Sequence, residues 1–333
     1  MAGRVFAFAD PDIIKMCQKD FIPVTGDDWY QRRRQDKEGE FFCKLADSLG
    51  KTGPGGSTRQ GIYLFAADGT PLAYKNTGQS ASATKEMMQQ ALAKFQKLPE
   101  AKTKPGAVKI EDAGKPDPTY SRTPPEGGLI LKSYTRILDL KDPGKDAEFC
   151  KGTCKTPGGD KAARDHVWIT KDEVKTLVPA KAEVGFSYPM PAKIADRLVR
   201  FHLVDNTRGE PDMWKPQEVR AKRITLTVTT ANADAIELKL EGEVLLATNA
   251  DTAKAERGYE PRLVGSLRYR PAKGTFDRFN IVATGDHWGD QTFARAARPG
   301  KSLLGQSFEL AGDKPGDCVP PQAIREISAY YGR

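Results

Sequence analysis

The three histidines are the residues of this chain best suited to chemistry. They are His166, His202 and His287, and they lie within RDHVW, RFHLVDN and GDHWG. A neutral imidazole is a common metal ligand, and because histidine titrates at about pH 6.5 it can also transfer protons. The three residues therefore predict an acid–base site or a site for a divalent metal ion, provided that folding brings them together. Their spacing matches no compact metal motif such as H-E-x-x-H, and each can equally be a packed residue with structural hydrogen bonds.

Carboxylates stand directly before two of these histidines. Asp165 precedes His166, and Asp286 precedes His287, which Trp288 follows. A carboxylate bonded to one ring nitrogen fixes the tautomer of a histidine. However, neighbouring residues of a strand point to opposite faces, which disfavours pairing within either Asp–His dipeptide.

A dense polar loop follows His202. It contains Asp205, Asn206 and Arg208. Polar loops on a rigid scaffold often carry binding or catalytic residues, although Asp and Asn are also common where a helix ends. Both interpretations of this loop stay open.

Two of the five cysteines lie close together in FCKGTCK, at Cys150 and Cys154. Three intervening residues allow a disulfide in an oxidising compartment, or a reactive dithiol. A zinc site would need two further ligands, and no second cysteine pair follows. Cys17 and Cys43 lie within apolar helical patterns, where a free cysteine behaves as a small hydrophobic residue.

The elements that must position these residues differ between the two halves of the chain. The first hundred residues predict a strand, a helix, a second strand, a longer helix, a hairpin and a last helix. The strands span residues 4–9 and 21–25, and the hairpin turns at Asp68–Gly69, a strong turn signal. Asp10 and either Ser80 or Ser82 are suitable N-caps for the first and last helices.

This order of elements resembles the thioredoxin fold over residues 1–99. FADPDIIKMCQKDFIPVTGDD is similar to the part that follows the redox helix, and GIYLFAADGTPLAYKNTGQ is similar to the terminal hairpin. The resemblance implies a Cys-x-x-Cys motif at a helix N-terminus. If residues 21–25 are the strand before that helix, DDWY occupies the position of the motif. If residues 8–14 are instead the end of that helix, the motif would precede the first residue. We therefore expect a thioredoxin-like domain without dithiol exchange.

Within that domain, Asp27, Asp28 and Trp29 lie near the edge that carries the active site in thioredoxin-like proteins. A pair of carboxylates at this edge can bind a cation or a protein partner. The simpler alternative is that these residues cap the helix that follows them.

The rest of the chain predicts a different architecture. Residues 100–128 read as a linker rich in Pro, Gly and Lys, and residues 129–333 contain consecutive alternating strands with few helices. The fold class is therefore α+β, with a thioredoxin-like α/β domain followed by a mainly antiparallel β domain with flanking helices. The whole chain also resembles large bacterial exported proteins, a likeness that names no activity.

Composition narrows the range of partners. The net charge is +8, from 52 basic and 44 acidic residues that are interspersed, and no nucleic-acid-binding signature is present, so a nucleic-acid site is not favoured. No apolar run approaches the ~20 residues of a membrane span. The N-terminal apolar run is too short for a signal peptide. We expect an extracytoplasmic protein whose leader is absent from this chain, with a cytoplasmic location as the alternative.

Three functional hypotheses follow from these features. The first is a non-redox binding or scaffold protein with a protein partner at the thioredoxin-like surface. The second is a metal-assisted enzyme that uses His166, His202 and His287. The third is a dithiol redox protein that uses Cys150 and Cys154.

Overall fold

The computed structural model describes residues 7–53, 58–76, 80–109, 112, 114–138, 162–295 and 297–332. The chain divides into two compact units, Gly3–Arg122 and Thr123–Arg333. Within the described ranges, no helix combines the length and the apolar character needed to cross a membrane.

The first unit is built from helices and one antiparallel hairpin. Its helices are α1 (Pro11–Asp20), α2 (Asp28–Gln31), α3 (Lys37–Ser48), α4 (Ala81–Phe95) and α5 (Glu100–Thr103), and its strands are β1 (Ile62–Phe65) and β2 (Pro71–Lys75). The predicted turn is present, with Gly69 at φ +84°, a conformation that glycine adopts without steric cost. Asp10 and Ser80 cap α1 and α4 as predicted, because their side chains accept bonds from Ile13 N and Ala83 N.

Neither of the two strands predicted before the hairpin is present in the described residues. Residues 7 and 8 are helical, and residues 4–6 lie outside the described ranges. Residues 21–27 contain no helix, turn or paired strand, so the strand predicted at 21–25 is wrong. A strand requires a hydrogen-bonded neighbour, and in the described part of this unit β1 pairs with β2 and with no further strand.

The segment predicted as a linker contacts the first unit after α5. The backbone N of Asp117 donates to the Asp36 carboxylate at 2.6 Å, and the Asp117 carboxylate accepts from Gln35 N at 2.9 Å. Tyr120 packs its ring edge-on against Trp29, with 5.7 Å between ring centroids. These contacts extend the first unit to Arg122.

The second unit contains an eight-stranded antiparallel sheet. Its strands are β3 (Leu129–Leu138), β4 (Ala163–Ile169), β5 (Ser187–Pro189), β6 (Val219–Ala231), β7 (Ile236–Ala247), β8 (Gly258–Arg270), β9 (Thr275–Trp288) and β10 (Ser302–Leu310). Their order in the sheet is β4-β3-β10-β9-β8-β7-β6-β5. The strands from β6 to β10 therefore follow one another in the sheet in the order of the sequence, and four-residue turns join β6 to β7 and β8 to β9.

One face of this sheet carries the core of the second unit. Alternate residues of the strands are buried, as in Ile224, Leu226 and Val228 of β6, which follows from the two-residue period of a strand. They pack with Val174 and Leu198 from helical segments that cover this face. These segments are α6 (Lys171–Thr176), α7 (Ala192–Arg197) and a π-helix (Leu198–His202). Two further elements end the chain, a 3-10 helix (Gln322–Glu326) and α8 (Ile327–Tyr331). The structure thus confirms the α+β class with a large antiparallel sheet and flanking helices.

Candidate functional site

Buried polar side chains run through the interior of the second unit, and we call this set the polar core. Its members are Glu173, Arg197, His202, Asp205, Arg208, His287, Gln306 and Tyr330. All of them except Glu173 are at most 5% exposed. A buried polar group needs a hydrogen-bond partner, so the partners found here separate structural roles from groups that remain available for chemistry.

Arg197 occupies one end of the polar core with its side chain fully buried. Its guanidinium forms a bidentate pair with the Glu173 carboxylate, at 2.7 and 2.5 Å. It also donates to the backbone oxygens of Trp168 and Tyr330, each at 2.9 Å. Burial opposes ionisation of Glu173, but the bonds from Arg197 and from Thr170 N hold the pKa of this carboxyl below its usual range. This pair is therefore a structural tie between α6, α7 and the C-terminal helix.

His202 lies at the end of the π-helix, where Leu203 N bonds to Leu198 O at 3.0 Å. Its Nε2 is 3.0 Å from the Tyr330 hydroxyl, which accepts from the backbone N of Trp168 at 3.1 Å. Which of these two groups donates the hydrogen bond depends on the tautomer of His202. Nδ1 faces the Asp165 carboxylate at 3.5 Å, a distance that suits an electrostatic contact better than a hydrogen bond. Asp165, His202 and Tyr330 therefore form one row.

Gln306 joins this row to the polar loop. Its side-chain nitrogen donates to the backbone oxygens of His202 and Val204, at 2.7 and 2.9 Å. A third contact, at 3.2 Å, reaches the hydroxyl of Thr135 on the neighbouring strand. Strand β10 therefore holds the chain that leaves the π-helix at a fixed position over the sheet.

The polar loop folds around the fully buried carboxylate of Asp205. One oxygen accepts from the Thr207 backbone N and hydroxyl, at 2.9 and 2.6 Å, and the other accepts from Arg208 Nε at 2.7 Å. Arg208 also donates to Gly289 O and to the Asp290 carboxylate, each at 3.1 Å. The loop is thus bonded both to itself and to the chain that follows β9.

His287, on β9, is the member of the polar core with two buried atoms that have no hydrogen-bond partner among the described residues, whereas His202 and Gln306 have one each, Nδ1 and Oε1. Its Nε2 lies 3.6 Å from Asp205 Oδ2, beyond hydrogen-bond distance. Neither ring nitrogen has a hydrogen-bond partner among the described residues. The ring borders a narrow crevice that Arg257, Trp214 and Gln291 also line. There Arg257 lies 3.8 Å from the Trp214 ring centroid and donates to Gln291 at 3.1 Å.

The charges at this crevice follow from burial and from the arginines. Burial lowers the pKa of His287, and Arg208 and Arg257 lower it further while Asp205 opposes them. Burial alone would raise the pKa of Asp205, but His287, Arg208 and Thr207 hold it below its usual range. A neutral imidazole beside a carboxylate can act as a base. However, both side chains are at most 5% exposed, so a substrate reaches them only after the covering chain moves.

The structure places His166 and His202 within electrostatic range of each other and of Asp165, and it places His287 beside Asp205. His202 faces Asp165, His287 faces Asp205, and His166 lies opposite Lys132 in the β3–β4 pairing. Burial lowers the pKa of His166, against the opposing effect of Asp165. Within the described ranges, no three His, Cys, Asp or Glu side chains are placed to hold one metal ion.

Strand geometry explains the positions of the carboxylates next to the histidines. Asp286 is exposed and lies 3.8 Å from Lys301, on the face opposite to His287. Asp165 contacts His202 instead of its neighbour in sequence. Trp288 donates from its indole nitrogen to Ala255 O at 2.9 Å.

Asn206 occupies the middle of the polar loop. It is half-buried, and its side-chain oxygen is buried without a hydrogen-bond partner among the described residues. No described contact links this oxygen to a histidine.

Arg197, Gln306 and Tyr330 are members of the polar core that sequence reasoning did not identify. Arg197 follows Ile194 by three residues and precedes Phe201 by four, so helical spacing places it on the apolar side. A charged residue on the apolar side of a helix indicates a buried ion pair. No comparable signal marks Gln306 or Tyr330, because their partners come from distant parts of the chain.

In the first unit, the acidic pair predicted as a cation or partner site begins a helix. Asp27 caps α2 by accepting from Trp29 N at 2.8 Å, and Asp28 lies 3.7 Å from Arg32. The Trp29 ring packs under the Arg33 guanidinium, 4.4 Å from the ring centroid. These contacts account for Asp27 and Trp29 as parts of the local fold.

Directly before α2 lies the most exposed apolar sequence of the first unit. We call residues 21–27 the extended segment. Ile22 is 93% exposed and Val24 is 82% exposed. Phe21 and Asp27, at its two ends, have extended backbone conformations. Both apolar side chains are therefore presented to solvent on an unpaired stretch of backbone.

The described cysteines do not form a redox pair. Cys17, Cys43 and Cys318 are free thiols, and burial raises the pKa of Cys17, which disfavours the reactive thiolate. Cys150 and Cys154 lie outside the described residues, so their pairing stays a prediction.

No protein-family model matches this chain, and neither does any curated protein or solved structure.

Proposed function

We propose that this chain is a binding protein that docks a protein partner on its first unit, through the extended segment. The observation that carries the proposal is the near-complete exposure of Ile22 and Val24 on backbone that pairs with no strand. Extended, unpaired backbone is a template for a further strand. In strand addition, backbone hydrogen bonds supply affinity and alternate side chains supply specificity.

The composition of the first unit supports the same role. One cluster of buried residues contains Ala7, Ile13 and Met88, with partly buried side chains such as Met16 and Leu64 packed against it. Other large apolar side chains stay more than a third exposed, among them Phe8, Ile14 and Phe41. Exposed apolar surface beyond scattered single residues is typical of interaction sites.

The polar core supports a binding role because most of its members are used internally. The carboxylate of Asp205 and the guanidinium groups of Arg197 and Arg208 each bond to other residues of the same unit. Groups held in this way stabilise a fold and are not available to a substrate.

The proposal includes a thioredoxin-like origin for the first unit. The hairpin followed by α4 supports this origin, because the thioredoxin fold ends in the same two elements. An extracytoplasmic location also belongs to the proposal, and its support is the sequence pair Cys150 and Cys154, which suits an oxidising compartment.

The test is selection of displayed random decapeptides on the immobilised full chain. We expect enrichment of peptides with β-branched residues at alternate positions, and loss of that enrichment in the double variant Ile22→Lys/Val24→Lys. The matched control is Val264→Lys/Val282→Lys, which changes an exposed cross-strand pair of the second unit. No enrichment, or an equal loss in the control, would show that the proposal is wrong.

A second candidate function is an enzyme that uses His287, with or without a divalent metal ion. One observation favours it. His287 lies next to Asp205, and neither of its two buried ring nitrogens has a hydrogen-bond partner among the described residues. Metal analysis of the purified chain tests its metal-assisted form. Stoichiometric metal that disappears in a folded His287→Ala variant supports this candidate, and the same metal content in both proteins contradicts a role for His287 in holding it.

A further inference from the structure

The chain that follows β9 lies over the crevice at His287, and we call residues 289–295 the covering segment. Gln291 of this segment is buried and borders the crevice together with the imidazole ring. Its side-chain nitrogen donates to the backbone oxygen of Asp205 at 2.8 Å. The covering segment is therefore one wall of the crevice, and access to His287 from this side requires that the segment moves.

Polar contacts hold the covering segment in place, and some of them lie at the surface. Thr292 donates from its backbone N and its hydroxyl to the Asp212 carboxylate, at 2.7 and 2.9 Å, and both bonds are exposed. Arg208 donates to Gly289 O and to the Asp290 carboxylate, each at 3.1 Å. Because water competes for exposed bonds, a segment that depends on them opens at a low cost in free energy.

Apolar packing adds little to these contacts. Phe293 is 71% exposed, and its backbone forms an isolated antiparallel bridge with Glu210. Among the described residues 289–295, Ala294 is the apolar side chain that is buried, and it contributes a single methyl group. Few buried apolar contacts are typical of regions that open locally while the rest of a protein stays folded.

The chain is held more tightly at one end of the covering segment than beyond the other. At Gly289, φ is +91°, and the backbone lies so close to the chain before β8 that a Cβ would be 2.0 Å from Glu256 O. Gly300 also has a positive φ, +74°, but there is open space where its Cβ would be. The covering segment is therefore anchored at Gly289, and the backbone at Gly300 can rotate with little steric resistance.

Opening of the covering segment would satisfy groups that lack partners in the closed arrangement. Neither ring nitrogen of His287 has a hydrogen-bond partner among the described residues, and Nε2 lies 3.6 Å from Asp205 Oδ2. A buried polar group without a partner costs free energy, and that cost is recovered when water reaches the group. This gain offsets part of the cost of breaking the contacts that hold the covering segment.

We propose that the covering segment is a lid, anchored at Gly289, whose opening exposes the His287 imidazole and the Asp205 carboxylate to solvent while the large sheet stays folded. The inference does not depend on the docking role of the first unit. It supplies the access that a substrate needs in the second candidate function.

A disulfide that locks the lid tests this inference. Cα atoms of an antiparallel pair lie about 4.5–5.5 Å apart, within the range that a disulfide spans, so Glu210→Cys/Phe293→Cys can join the lid to the polar loop. The readout is the rate at which diethyl pyrocarbonate modifies His287, measured by mass spectrometry, which also verifies the 210–293 linkage. We expect this rate to be at least ~10-fold lower in the oxidised variant than in its reduced form, because a lid that stays closed keeps the reagent out. His202 should react at the same rate in both forms, and the oxidised and reduced original chain is the matched control.

A variant that weakens the closed lid provides the opposite change. Asp212→Ala removes the acceptor of the two Thr292 bonds, and we expect His287 to be modified about 5-fold faster as a result. Asp277→Ala is the matched control, because this exposed carboxylate pairs with two arginines of the β8–β9 hairpin, away from the lid. It should leave the rate unchanged. This comparison also decides the question if the double cysteine variant does not fold.

Three results would overturn the inference. The first is an equal rate for His287 in the oxidised and reduced forms of the double variant. The second is a parallel change at His202, because exposure would then come from unfolding of the whole unit. The third is a rate in Asp212→Ala no higher than in Asp277→Ala.

Discussion

Arg197→Met offers the sharpest test of the polar core. The substitution keeps most of the side-chain volume but removes the guanidinium and its bonds to Glu173, Trp168 O and Tyr330 O. Among the described residues, Glu173 then keeps the bond from Thr170 N at 2.9 Å, and two buried carbonyls lose a donor. Breaking a buried ion pair by removing one partner costs about 3–5 kcal/mol.

This loss is large relative to the stability of a domain, which is about 5–15 kcal/mol. For a unit of this size it corresponds to a fall in Tm of about 6–20 °C. Urea unfolding followed by tryptophan fluorescence measures it, in a Trp29→Phe background that removes the tryptophan of the first unit. Trp168, Trp214 and Trp288 then report on the second unit alone.

Arg223→Met is the matched control, because that side chain is 78% exposed and pairs with Glu243 on the surface. We expect it to cost less than about 1 kcal/mol. Adding Glu173→Gln to Arg197→Met should cost much less than it does in the original chain, because the carboxylate has already lost its partner. An Arg197→Met loss no larger than that of the control would refute a structural role for this pair.

Two further predictions concern acid sensitivity and backbone geometry. Because burial lowers the folded-state pKa of His287 and His166, the unfolded chain binds more protons as the pH falls. The contribution of these two neutral histidines to the free energy of unfolding is therefore complete above about pH 6.5, and it is lost as the pH falls towards their folded-state pKa. Urea unfolding midpoints at about pH 8 and about pH 5 measure this loss. The difference between the two midpoints should be smaller in His287→Gln. An unchanged or higher midpoint at about pH 5 in the original chain contradicts the prediction. Gly289→Ala should destabilise the second unit by more than about 2 kcal/mol, because φ is +91° and a Cβ would lie 2.0 Å from Glu256 O. Gly300→Ala shares the positive φ but has open space around it, so thermal unfolding should show a smaller loss, and equal losses would exclude the clash as the cause.

Sequence patterns predicted the second unit well because its signals are local. Alternating apolar residues identify β6 to β9, and Thr170 caps α6 through its hydroxyl, which accepts from Glu173 N at 3.4 Å. When a strand pairs with the strand that precedes it in the sequence, its place in the sheet can be predicted from nearby residues alone.

The same patterns failed where the outcome depended on distant residues. Residues 21–25 have the composition of a strand, but composition does not supply a neighbouring strand. Likewise, the carboxylate beside His202 is that of Asp165 on β4, and no spacing rule connects two residues so far apart in the chain. The alternation of strand side chains did exclude Asp286 as the partner of His287, as the sequence had suggested.

The polar contacts of Trp168 have a consequence for how the large sheet behaves in concentrated solution. Strand β4 is the last strand on its side, and the backbone N–H and C=O of Trp168 are bonded to the Tyr330 hydroxyl and the Arg197 guanidinium. At the other border, β5 is only three residues long and ends in Pro189. One donor and one acceptor on the β4 border are thus bonded within the chain, and the β5 border offers only a short strand to a foreign strand. Loss of Arg197 would remove the donor from the Trp168 carbonyl on this border. We therefore expect the variant to aggregate through β4 even under conditions in which most molecules remain folded.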